Sequence, residues 1–204
     1  MNLHKYLAKQ FAAPHGLGGS IVSFIMNRQN RSMYEETIRM LSLSEPESVL
    51  DIGCGNGYVL NMIAKRYSGS FTGIDISESI IQTAKRRNSA FVKSGKMNFA
   101  CQDISGMAFE DGSFSRVYTI NAVYFWDNLE NAMLEISRIL RPKGTFINTL
   151  YTNEALDRFP HTKHGYKRFT EQQLTDAGTK AGFEVEIKAI LNGTALCCIY
   201  RITP

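Results

Sequence analysis

Three carboxylates stand where a nucleoside-like ligand would need acceptors. Asp51 opens the run Asp51-Ile52-Gly53-Cys54-Gly55-Asn56-Gly57, Asp75 closes Gly73-Ile74-Asp75 twenty residues beyond Gly55, and Asp103 precedes Ile104. An ionised carboxylate only accepts hydrogen bonds, so such groups suit hydroxyl and amine donors. The alternating glycines let a backbone approach its ligand closely. A second group lies later in the chain. The segment Asn121-Ala122-Val123-Tyr124-Phe125-Trp126-Asp127 holds the only tryptophan, and a loop over 158–169 holds His161, His164 and Tyr166. Tyr124, His164 and Tyr166 are the candidate proton-transfer groups, with His161 and His15 behind them. His161 and His164 lack a cysteine or acid at supporting spacing, so no metal site is predicted.

These residues need a scaffold, and hydrophobic periodicity supplies one. Short apolar runs at 48–52, 70–75, 97–101, 116–120, 145–150, 184–190 and 195–202 alternate with amphipathic stretches. That alternation predicts an α/β fold: a Rossmann-like, seven-stranded, mostly parallel sheet with helices on both faces. The connection over 191–194 is too short for a crossover helix, so the last strand is predicted antiparallel. The clearest helix keeps Leu129, Ala132, Met133, Ile136, Ile139 and Leu140 on one face, with Asp127 and Glu130 expected to cap it and Pro142 and Gly144 to stop it. Thr170 and Gln173 have capping-box spacing. Residues 1–44 read as an N-terminal helical arm or lid, with helices over 3–11 and 31–41 flanking a Pro/Gly-rich stretch, and residues 45–204 as the ligand-binding domain. Phe11, Ile21, Phe24 and Ile25 give the arm an apolar face suited to covering the mouth above the strand ends.

Glycine spacing separates the possible ligands. A dinucleotide fingerprint needs G-x-G-x-x-G, but the sixth position from Gly53 is Tyr58, and no Gly-Lys-Ser/Thr follows for a triphosphate loop. The chain resembles the class I S-adenosylmethionine-dependent methyltransferases, whose first motif reads acid-x-Gly-x-Gly-x-Gly. The likeness continues through Asp75, Asp103-Ile104, Phe109, Asp111-Gly112-Ser113-Phe114 and Leu140-Arg141-Pro142-Lys143-Gly144-Thr145. Within the family it is similar to a small-molecule subgroup related to quinone-biosynthesis methyltransferases, through the 11–19 stretch and Tyr166-x-x-Phe169-Thr170.

The resemblance implies S-adenosylmethionine as cofactor. It places Asp51, Gly53, Cys54 and Gly55 around the methionine end, Asp75 on the ribose hydroxyls and Asp103 on the adenine amine. Ile76 and Ile104 would lie against the ring, and Asn121 beside the sulfonium. Phe125 and Trp126 would wall the acceptor or anchor the following helix.

Composition sets the outer limits. With 44% hydrophobic and 21% charged residues and a formal charge of +4, the 204-residue chain matches no fibrous, disordered or disulfide-stapled class. Lys163, Lys167 and Arg168 form a local basic run, but there is no strong basic stripe, so no nucleic acid is expected. The uncharged stretch 10–27 is broken by proline and glycine, which excludes a membrane span there, and no signal peptide is read. Four cysteines, two of them adjacent, suggest a reducing cytoplasm. The expected function is methyl transfer to a small-molecule acceptor. A macromolecular acceptor and a noncatalytic nucleotide-binding protein stay open as alternatives, and the oligomeric state is open.

Overall fold

The computed structural model describes residues 27–43 and 46–202. Its seven strands are β1 (Glu47–Ile52), β2 (Gly69–Asp75), β3 (Met97–Cys101), β4 (Phe114–Ile120), β5 (Leu140–Tyr151), β6 (Phe183–Ile190) and β7 (Ala195–Ile202). They form one sheet in the order β3-β2-β1-β4-β5-β7-β6. Pairing is parallel from β3 across to β5, while β7 runs antiparallel to both β5 and β6. The reversed last strand therefore agrees with the short hairpin, where Leu191, Asn192 and Gly193 all take positive φ. Its insertion between β5 and β6 does not follow from sequence order.

Helices cover both faces. On one side α1 (Arg31–Leu41), α2 (Tyr58–Ala64) and α3 (Glu78–Arg87) bury Met33, Ile38, Leu60, Ile63, Ile81 and Ala84 against Phe71, Phe99 and Ile147. A short helix, α4 (Ser89–Lys93), leads into β3. On the other side α5 (Leu129–Ile139) and α7 (Glu171–Lys180) bury Met133, Ile136 and Leu174 against Leu50, Val117 and Phe146. A single turn, α6 (Asn153–Asp157), follows β5. Each of the longer helices α1, α2, α3, α5 and α7 has one buried stripe at three- and four-residue spacing, because burying that face stabilises it more than its intrinsic propensity does.

α1 lies in the core layer, with Thr37 Oγ1 donating to Thr149 Oγ1 at 2.8 Å. The lid surface formed by Phe11, Ile21, Phe24 and Ile25 lies outside the described residues. Two local expectations, both at α5, need correction. The cap of α5 is Asn128, whose side chain accepts from Asn131 N–H at 3.0 Å, and not Asp127. Finally, Pro142 and Gly144 do not end α5. It ends at Ile139, and β5 starts at once with a bulge between the pairs Phe114–Leu140 and Arg116–Thr145. The capping box at Thr170 and Gln173 forms as expected.

The cap assignment makes a stability prediction. Asn128→Ala should lower unfolding free energy by about 1 kcal/mol, the usual cost of a lost N-cap. Asp127→Ala should stay within about 0.5 kcal/mol, as exposed positions do. Urea unfolding curves showing the opposite order would restore Asp127 as the cap.

Candidate active site

Strand order reverses between β1 and β4, and in open α/β sheets ligands bind at the carboxyl ends of the strands flanking such a reversal. A cleft of about 1230 Å³, open mouth included, lies there. The glycine loop forms its floor. Gly53 and Cys54 both donate to Ile74 O at 2.9 Å, and Gly57 donates to Cys54 O at 3.0 Å. Gly55 N–H donates to Asp75 Oδ2 at 3.1 Å. These amides are thus satisfied within the protein, unlike the outward-pointing donors of a phosphate-binding loop. A Cβ on Gly53, which has φ +75°, would stand 2.5 Å from Ala122 Cβ, so glycine is what lets the loop meet the segment after β4.

The carboxylates differ in environment. Asp51 is 3% exposed, and Tyr118 Oη donates to its Oδ2 at 2.8 Å. Burial pushes its pKa up to about 7, against the lowering effect of the Tyr118 bond, and the Asp75 charge adds to the rise. Asp75 accepts from Gly55 N–H and, through Oδ1, from Ser77 N–H at 3.0 Å; burial still raises its pKa. Asp103 accepts from Ser105 Oγ at 2.6 Å and Ser105 N–H at 2.7 Å, which lower its pKa. It is therefore a turn residue and a cleft-lining acid at once. Ile104 is buried, while Ile76 keeps 59% of its surface exposed at the cleft, an apolar face for a planar ring.

All nine residues expected around the cofactor line this cleft: Asp51, Gly53, Cys54, Gly55, Asp75, Ile76, Asp103, Ile104 and Asn121. Asn121 adopts φ +58° and lies beyond the end of β4, with its N–H bonded to Thr149 O at 2.9 Å. Sequence reading missed Asn27, Asn30, Tyr34, Asn56, Tyr58, Gln102 and Asp127 as lining residues. Asn56 and Gln102 could have been inferred from adjacency to the motif. Tyr34 was hidden by its place in the apolar stripe of α1, and Asp127 by its resemblance to a cap.

The three proton-transfer candidates are not among the lining residues. Tyr124 is 2% exposed, with its hydroxyl 3.2 Å from Asn121 Oδ1 and accepting from Tyr151 N–H at 2.6 Å. Burial raises its pKa far above that of an ordinary phenol, and its hydroxyl bonds to Asn121 behind the cleft wall. Tyr166 packs on Phe125 with ring centroids 4.7 Å apart, behind the wall that Phe125 presents. Burial raises its pKa also. His164 lies just beyond the turn Pro160–Lys163, its N–H bonded to His161 O. Lys167 does not serve as a free cation: its Nζ donates to Trp126 O at 2.6 Å and Asp127 O at 2.8 Å, tying the 158–169 loop to the cleft wall. Trp126 is buried against Phe146 and also borders the cleft, so anchor and wall are combined in one side chain.

Among the described residues, the cleft is lined by four aspartates and by no lysine, arginine or histidine. That acceptor set fits S-adenosylmethionine, whose sulfonium, ammonium, two ribose hydroxyls and amino-substituted ring outnumber its single carboxylate and which carries no phosphate.

Comparison with known proteins agrees with this geometry. Residues 49–144 match a family described as a methyltransferase domain. The chain is 28% identical over 181 residues to an uncharacterized methyltransferase, YdaC, of Bacillus subtilis, covering 87% of this chain and 95% of that one. It is 33% identical over 107 residues to an O-methyltransferase of Pyrenophora dematioidea, covering 52% of this chain and 40% of that relative's length. In structure it resembles geranyl diphosphate C-methyltransferase of Streptomyces coelicolor A3(2), solved with S-adenosyl-L-homocysteine, at TM-score 0.71 and 13% identity over 85% of this chain and 76% of that one. The segment that builds the glycine loop, its three acids and the wall after β4 thus lies within the stretch that matches a methyltransferase domain.

Proposed function

We propose that the protein transfers a methyl group from S-adenosylmethionine to a neutral small-molecule acceptor. The observation carrying this reading is a cleft with no lysine, arginine or histidine among its described lining residues, with Phe125 and Trp126 on one wall and Asn27, Asn30 and Tyr34 elsewhere in the lining. An acceptor bearing phosphate or carboxylate would find no charge partner among these residues, whereas an uncharged one would meet aromatic faces and amide groups. The cofactor supplies an electrophilic methyl on a sulfonium. The residues of the chain supply alignment: Tyr124 fixes Asn121, and Lys167 and Tyr166 fix the segment carrying Phe125. With Tyr124, His164 and Tyr166 outside the lining, the reading assigns catalysis to positioning and exclusion of water.

The quinone-type subgroup likeness adds little to acceptor choice, because Thr170 caps α7 and Tyr166 and Phe169 pack on the core. Four unpaired cysteines accord with a reducing cytoplasm as the working compartment. Among the described residues, no helix is long and apolar enough to cross a membrane.

The test is incubation with methyl-labelled S-adenosylmethionine and a cell extract split by size. Label is expected in the small-molecule fraction. Label confined to RNA or protein would overturn the acceptor class.

A further inference from the structure

Asp51 is the one carboxylate of the cleft held wholly inside the sheet. It sits on β1, and the groups around it are few: the Tyr118 hydroxyl on β4, Asp75 at the end of β2, the Cys54 thiol in the glycine loop and the Tyr34 phenol on α1. None of these is a cation. Tyr118 is itself fully buried, and its hydroxyl is the side-chain donor that Asp51 meets. A buried carboxylate with one neutral donor and another acid nearby is costly to ionise until a positive charge arrives.

We infer that Tyr118 is a positioning residue that holds Asp51 as a proton-linked receptor for the cationic end of the cofactor, so that capture of the cofactor expels a proton from Asp51. The inference rests on the cofactor reading above and adds to it a coupling between binding and pH. The sign follows from burial. In the free protein Asp51 titrates at about 7, and a bound ammonium favours its charged form. Below that value the carboxyl must lose its proton before it can pair, so affinity falls as pH falls. Above it, the charged form is already present and affinity levels off. Cys54 and Tyr34, both raised by burial, stay neutral through this range, and Asp75, also raised by burial, is the other acid to be told apart from Asp51.

Calorimetric titration with S-adenosylhomocysteine, which shares the methionine end, provides the test. In wild type the affinity should be about tenfold weaker at pH 6 than at pH 8. Repeating the titration in buffers of different ionisation enthalpy should show net proton release that grows as pH drops from 8 to 6. Asp51→Asn should abolish that release, which separates Asp51 from Asp75. Tyr118→Phe removes the donor that favours the charged form, so the midpoint of the affinity profile should rise by about one pH unit. The carbon resonance of the Asp51 carboxyl, followed in the ligand-free protein, should shift its midpoint likewise. Proton release that survives in Asp51→Asn, or a midpoint unmoved in Tyr118→Phe, would overturn the coupling. If Tyr118→Phe fails to fold, Asp51→Asn and the wild-type carboxyl titration decide alone. Absence of any binding heat in wild type at every pH would instead overturn the cofactor reading, and the coupling with it.

Discussion

Asp75→Ala is expected to weaken S-adenosylhomocysteine binding by about tenfold to a hundredfold, or about 1.5 to 3 kcal/mol, the range for hydrogen bonds to a charged group. Two losses combine in that figure. The carboxylate is the acceptor proposed for the ribose hydroxyls, and it also fastens Gly55 N–H at 3.1 Å and Ser77 N–H at 3.0 Å. Truncation therefore removes a ligand contact and frees two amides that shape the cleft. Asp75→Asn retains one acceptor oxygen and should lose less than the alanine variant. Calorimetry giving less than a threefold change for Asp75→Ala would remove this residue from the cofactor site.

Gly53→Ala should destabilise the protein by about 2 kcal/mol or more and weaken S-adenosylhomocysteine at least tenfold. A non-glycine residue at φ +75° carries about 1 to 2 kcal/mol of strain, and the new methyl group would stand 2.5 Å from Ala122 Cβ. The two contributions can be separated. In the double variant Gly53→Ala with Ala122→Gly the facing methyl is gone, so part of the stability should return while the backbone strain remains. Gly55→Ala provides the contrast, since at φ +52° its Cβ would meet nothing within 4 Å. Its stability cost should be confined to about 1 kcal/mol of strain. Purely additive unfolding energies for Gly53→Ala and Ala122→Gly would mean that the loop does not depend on this contact.

Much of this architecture was legible because its signals are local. Period-two and period-3.6 patterns report which face of each segment is buried, and Thr170 with Gln173 or the turn over 191–194 specify their geometry within four residues. The cofactor acids were legible for a related reason: each sits at the end of a strand or just beyond it, next to glycine or a turn, so strand assignment alone carries them to one edge of the sheet. Adjacent residues with similar chemistry are harder. Asp127 and Asn128 are both good caps, and which one closes α5 depends on where the chain leaves the cleft wall.

The sequence by itself determined the mostly parallel sheet, the reversed last strand and the glycine loop with its three acids, because these depend on spacing along the chain. Only the tertiary structure decided that β7 lies between β5 and β6, that α1 belongs to the core and brings Tyr34 to the cleft, and that Tyr124 and Tyr166 stand behind the wall. It also decided that Asp51, similar in sequence to the other acids, is the one buried against Tyr118 with a pKa near neutrality. The physical reason is common to these cases. Burial, ring packing and the charge state of a carboxyl are set by neighbours distant in sequence, such as the 67 positions between Asp51 and Tyr118, and no local pattern encodes them.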